Sequence, residues 1–179
     1  MSRLYCFEPI VDRTSTVLIL GSMPGQASLA AGEYYAHPRN AFWVIMGELI
    51  GAFPRLSYAE RVSILRASGI ALWDVLASCI RPGSLDSDIR QDSAVTNDFN
   101  SLFLNHPDIT RVFFNGAKAE QCFLKYVHPA LEPDRLQYWR LPSTSPANAG
   151  ISYSQKLFAW QSVKQPDTGN IQQSAGRKP

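Results

Sequence analysis

Four short apolar runs, set apart by stretches of helical spacing, constrain this chain more than any other feature. They are Val17–Leu20, Ile70–Leu76, Ile109–Asn115 and Leu136–Leu141. Each is rich in β-branched, aromatic or leucine side chains and stops at a glycine, proline or polar turn, the pattern of a buried strand. Between the first two, Pro38 is well placed for the first turn of a helix, and Phe42, Trp43, Ile45, Met46, Leu49 and Ile50 follow at helical spacing. Ser57-Tyr58-Ala59-Glu60 has the capping-box pattern, and Gly69 ends the helix it opens. Thr96 reads as the cap of a short helix carrying Phe99, Leu102 and Phe103. Gly116 opens a helix over Ala117–Val127, and Ser152 with Gln155 opens a last one that buries Leu157, Phe158 and Trp160 or their neighbours. Met1–Arg13 is a lead-in whose Tyr5, Phe7, Pro9 and Ile10 pack across the sheet. Strands alternating with helices make βαβ units. The expected class is α/β, a three-layer α/β/α sandwich around a central four-stranded parallel sheet.

In such sheets ligands sit at the carboxyl ends of the strands. The first strand runs straight into Gly21-Ser22-Met23-Pro24-Gly25, a tight turn that lets a ligand come close to backbone. No Gly-Lys-Ser/Thr follows, and the glycines do not match GxGxxG, so this is neither phosphate-binding loop. Tyr34, Tyr35, His37, Arg39 and Asn40 come next, and a loop kept only for connection seldom needs so many directional side chains. Asp74 is a lone carboxylate ending the second strand. Burial would raise its pKa and fit it to donate a proton; pairing with Arg81 or capping a loop is the alternative. Asn115 ends the third strand beside Gly116.

The 179 residues suit one domain, 1–164, with a polar tail, 165–179, that is flexible or loosely packed. A net charge of +2 is no broad electrostatic footprint, so a nucleic-acid surface has to be a local patch. Cys6, Cys79 and Cys122 show no CxxC spacing and His37, His106 and His128 are scattered, which predicts free thiols, no metal site and no cofactor. No leader or membrane-spanning run is visible, and the expected place is intracellular, in the cytoplasm.

Taken together, GSMPG after a strand, YYAHPRNAFW, and LPSTSPANA resemble the first and last motifs of the uracil-DNA glycosylase superfamily over about Leu4–Lys164. The wording is closest to its hypoxanthine-DNA glycosylase branch, the sixth family. The resemblance implies the same fold and a monomeric, monofunctional DNA glycosylase that hydrolyses the N-glycosidic bond of a flipped deaminated base, hypoxanthine first. A mismatch-specific uracil or thymine glycosylase, and a non-catalytic nucleotide- or nucleic-acid-binding module, are the alternatives. It implies a catalytic role for Asn40, which would hold the attacking water; Ser22, by its place in the first motif, and Asp74, by its burial at a strand end, are the other catalytic candidates. Ser22 stands where many relatives carry Asp or Asn, which moves the water-placing role towards Asn40. The base pocket would be Gly21, Met23, Pro24, Gly25, Tyr35, His37, Phe42 and Asn115, with Phe42 stacking on the base and an open Gly25 admitting a purine. DNA would be met by Arg39, Ser143, Thr144, Ser145, Pro146, Ala147 and Asn148, with Arg81, Arg90 and Lys118 as further phosphate partners. Read without the resemblance, Asn40 is a helix-start residue, Phe42 is core, Asn115 is a turn residue, and the serines cap the last helix. No lysine lies between Met1 and Ala117, so the early loops offer no amine for a Schiff base.

Overall fold

The computed structural model describes residues 3–83, 85–131 and 135–165. The tail expected at 165–179 lies, from residue 166 on, outside the described residues. In chain order the elements are β1 (Leu4–Tyr5), β2 (Val17–Gly21), α1 (Gln26–Ala31), α2 (Phe42–Ile50), α3 (Tyr58–Ala67), β3 (Ile70–Asp74) and β4 (Leu76–Cys79). There follow β5 (Val95–Thr96), α4 (Phe99–Asn105), β6 (Arg111–Asn115), α5 (Ala117–Tyr126), β7 (Gln137–Leu141) and α6 (Tyr153–Trp160).

The four expected strands form one parallel sheet in the order β3-β2-β6-β7. Leu18, Ile19 and Leu20 of β2 are fully buried. That is why their run reads as continuously apolar: helices cover both faces of the sheet. Burying each such side chain is worth about 1.5–3 kcal/mol. Phe42 of α2 meets Trp160 of α6, whereas Phe114 of β6 and Phe99 of α4 both meet Phe123 of α5. Those contacts make up the two outer layers. The register pairs Gly21 with Asp74 and Asn115 with Leu141, so all four end at one carboxyl edge.

Several boundaries differ from the sequence reading. The run Ile70–Leu76 is two strands, because the N–H groups of Val75 and Leu76 donate to the Gly21 and Ser22 carbonyls and turn the chain away. β4 then pairs antiparallel with β1 and β5 in a second, three-stranded sheet. The lead-in does reach the main sheet: Ile10 bridges Leu72, and the Trp73 indole donates to the Phe7 carbonyl at 3.0 Å. Pro38 lies in a turn, and α2 starts only at Phe42. The loop after Gly25 contains the unforeseen α1. Asp98, not Thr96, caps α4, accepting from the Ser101 N–H at 3.0 Å. Both capping boxes are formed, at Ser57/Glu60 and Ser152/Gln155. On α6, Phe158 is 77% exposed and the buried residues are Trp160 and Lys156. Among the described residues no helix is long and apolar enough to cross a membrane. The three cysteines are free thiols, and burial pushes that of Cys6 up to about 11.

Candidate active site

At the end of β2 a methyl group on Gly21 would overlap the Asp74 carboxylate and lie 3.1 Å from the Tyr35 hydroxyl. The missing side chain is therefore what lets a carboxylate and a phenol converge on this strand end. Asp74 is 3% exposed, and its backbone carbonyl accepts from Asn97 Nδ2 at 2.8 Å. Ser22, Met23 and Pro24 are buried, and nothing stands within 4 Å of where a Cβ on Gly25 would point. Arg81, expected at a phosphate or beside Asp74, is buried and donates from Nη2 to the Pro24 carbonyl at 2.6 Å. It stiffens the turn from inside.

Tyr35 is the described non-glycine residue with positive φ, at 56°. A left-handed tyrosine costs about 1–2 kcal/mol and persists only where its neighbours dictate it. On one side Tyr34 is buried, its N–H donating to the Tyr58 hydroxyl and its carbonyl accepting from the Trp43 indole at 2.8 Å. On the other, the Ala36 N–H donates to Ser28 Oγ at 3.2 Å. The enforced turn lays the Tyr35 ring on Phe42, centroids 4.1 Å apart and planes at 24°.

That contact corrects the expectation for Phe42. Its ring is 0% exposed, between Tyr35, Trp43 and Trp160. With α2 starting four residues later than Pro38, Phe42 falls in the first turn and points into the core. The half-buried aromatic over the strand end is Tyr35.

Asn40 has the local role that its position before a helix allows. Its Oδ1 accepts from the Phe42 N–H at 3.0 Å, and its own N–H donates to the His37 carbonyl at 2.8 Å. The side-chain NH2 and the second lone pair of Oδ1 remain for a water. His37 Nδ1 accepts from the Arg39 N–H at 3.1 Å, and the Arg39 side chain is exposed.

The last loop, Pro142–Asn148, meets the first directly, with the Ala41 N–H donating to the Thr144 carbonyl at 3.0 Å. Asn115, at the end of β6, ties the last loop down: its Oδ1 accepts from the Thr144 N–H and its Nδ2 donates to Thr144 Oγ1, each at 2.9 Å. Thr144 is 1% exposed, so the expectation that it contacts DNA is corrected; its hydroxyl is consumed inside the protein. Ser143 and Ser145 form successive hydroxyl turns, their Oγ atoms accepting from the N–H groups of Ser145 and Ala147. Asn148 Nδ2 donates to the Ser143 carbonyl, and Ala147 is exposed at the tip. Lys118 is not in this cluster; it lines a separate cleft with Leu76, Cys122 and Tyr126. Arg90 is exposed and 3.8 Å from Asp92. Among the described residues no group of three or more His, Cys, Asp or Glu is placed to hold a metal.

Sequence reasoning missed the donors behind the loop. Trp160 Nε1 donates to the Pro142 carbonyl at 3.0 Å, and Lys156 Nζ to the Asn148 carbonyl at 2.9 Å. Their spacing of four on one helix was the signal available. The assembled edge brings an aromatic ring, a carboxylate, an amide and a serine loop to one end of the sheet, the equipment for gripping a planar ring and hydrolysing a bond next to it.

A sequence profile of the Uracil DNA glycosylase superfamily matches residues 8–164. A protein named hypoxanthine DNA glycosylase from Methanosarcina acetivorans is 33% identical over 158 residues, covering 88% of this chain and 95% of that protein. One of the same name from Methanosarcina barkeri is 37% identical over 114 residues, covering 63% of this chain and 71% of its own length. A solution NMR structure of a candidate uracil DNA glycosylase from Methanosarcina acetivorans superposes with a TM-score of 0.74 at 28% identity, covering 92% of this chain and all of that one.

Proposed function

The chain belongs to the uracil DNA glycosylase superfamily, and from that premise we propose that it is a monofunctional DNA glycosylase of base-excision repair acting on intracellular DNA. Its substrate is a deaminated base flipped out of the duplex, hypoxanthine in preference to uracil. The observation that carries this reading is the joining of the two motif loops, Ala41 N–H to Thr144 carbonyl, beside the strand end where Gly21, Tyr35 and Asp74 converge. The names of the two Methanosarcina relatives support the choice of base. We assign the whole activity to one domain, residues 1–164, working as a monomer.

In this mechanism the extruded base enters over Gly21 and stacks on Tyr35, while the unfilled space at Gly25 accommodates the second ring of a purine. As the glycosidic bond lengthens, positive charge grows on the sugar and negative charge on the departing base. Asn40 holds the attacking water with its free amide hydrogens and lone pair. It does not titrate, so it works by placement rather than proton abstraction. Asp74, at the end of β3 beside Gly21, answers the charge on sugar or base; Ser22 supports the turn. The N–H groups and hydroxyls of Ser143 and Ser145 hold the flanking phosphates. His37 and Arg39 lie at the rim.

The test is a set of duplexes each carrying one hypoxanthine, uracil, xanthine or G·T mismatch, incubated with enzyme and scored for alkali-labile sites. Hypoxanthine release ahead of the rest is the expected result. Release of uracil or thymine alone selects the mismatch enzyme, and retardation without release selects the binding module. With borohydride present no protein–DNA adduct should be trapped, since cleavage is left to alkali.

A further inference from the structure

One face of α6 carries two donors four residues apart, the spacing that stacks side chains on a helix surface. Trp160 is fully buried and its indole holds the Pro142 carbonyl; Lys156 is 6% exposed and its ammonium holds the Asn148 carbonyl. The first is where the last loop leaves β7, the second where it ends. Asn148 is also tied to Ser143 and Ser145, but those bonds lie within the loop and fix only its internal shape. The middle of the loop is tied through Thr144 to Asn115 and Ala41, and among the described residues the α6 donors are what hold the Pro142 and Asn148 carbonyls. The capping box fixes where α6 begins, and the fully buried Trp160 seats the helix in the core. A buried ammonium is unfavourable unless it is well bonded, and burial pushes the Lys156 pKa below the ordinary lysine value. Methionine would fill the same volume at less cost, so packing alone does not account for a lysine here.

We propose that Lys156 is a positioning residue for DNA binding, whose ammonium holds the Asn148 carbonyl and so fixes the Ser143–Asn148 loop in the shape that grips the DNA backbone. Lys156 acts on the loop from behind and does not touch phosphate. The proposal rests on the glycosylase reading above. A wild-type protein that releases no base from any lesion duplex removes that reading; an active wild type with unaffected Lys156 variants removes only this proposal.

The experiment compares wild type, Lys156→Met and Lys156→Gln on a hypoxanthine duplex, after thermal melts have shown that the variants fold. Single-turnover base release at increasing enzyme gives the half-saturating enzyme concentration and the rate at saturation. For Lys156→Met the first should rise about tenfold or more, while the second stays within about twofold. Lys156→Gln keeps a shorter donor and should recover part of the loss. The slope of log affinity against log salt should be the same in all three proteins. A slope shallower by about one in Lys156→Met would mean a direct phosphate contact and overturn the proposal. An unchanged half-saturation would overturn it, as would equal loss in binding and rate. If neither variant folds, Lys156 supports the fold rather than the loop, and the proposal fails.

Discussion

Asn115→Ala separates a base-reading residue from a structural tie. In the structure the Asn115 side chain makes two bonds to Thr144, both 2.9 Å, and Thr144 is 1% exposed. Truncation to alanine removes both and strands a buried N–H that water does not reach. Two lost hydrogen bonds contribute about 1 kcal/mol each and an orphaned buried donor costs roughly 1–3 kcal/mol, some of it already counted in the first figure. The expected destabilisation is therefore about 2–4 kcal/mol, or about 5–15 °C in melting temperature for a domain of this size. Asn115→Asp keeps the acceptor for the Thr144 N–H, and the threonine hydroxyl can rotate to donate to the second carboxylate oxygen. Its melting loss should be less than half that of Asn115→Ala. The assay pairs thermal unfolding with single-turnover release of hypoxanthine. Base release in Asn115→Ala should fall through weakened DNA binding, since the Thr144 carbonyl that holds Ala41 loses its support. If Asn115→Ala melts within about 2 °C of wild type and yet releases no base at saturating enzyme, the tie is unimportant and Asn115 reads the base.

Asn40→Ala should cut the single-turnover rate by about 100-fold or more with DNA affinity nearly intact, and should cost about 1 kcal/mol of stability through the lost contact to the Phe42 N–H; full activity in the folded variant would sink its catalytic role. Tyr35→Ala should weaken binding of lesion DNA by about 1–3 kcal/mol, the worth of one base–aromatic stack. Phe42→Leu should lower the melting temperature and leave binding unchanged, and the opposite ranking in a titration would restore Phe42 as the stacking residue. Gly21→Ala should lose activity and about 1–3 kcal/mol of stability, because its methyl displaces the Asp74 carboxylate; a crystal structure with Asp74 and Tyr35 unmoved would contradict this.

The parallel sheet was readable because strands covered on both faces must be apolar throughout, and Val17–Leu20 has no other use. The meeting of the first and last loops was readable too, since strands in such a sheet end on one edge. The second sheet was not: β1 and β5 are two residues each, too short for any period to show. Phe42 was given its stacking role by the motif it stands in, whereas the reading from helical spacing alone, plain core, is where its ring lies, among Tyr35, Trp43 and Trp160. Thr144 could not be told from Ser143 and Ser145, three small hydroxyl residues in a row. What separates them is Asn115, 29 residues earlier in the chain, reaching across to the middle one. Lys156 reads as a solvated lysine until the carbonyl it holds is seen.

The bond from Ala41 to Thr144 is made by main-chain atoms alone. As far as that bond is concerned, any residue except proline can stand at 41 and any residue at all at 144. Spacing is a different matter. One residue gained or lost between Asn40 and Phe42, or between Leu141 and Thr144, would slide amide and carbonyl out of step and part the two halves of the site. Drift at these positions should therefore take the form of substitution and not of insertion. Loops exchanged between relatives must match in length, and the two must be moved as a pair.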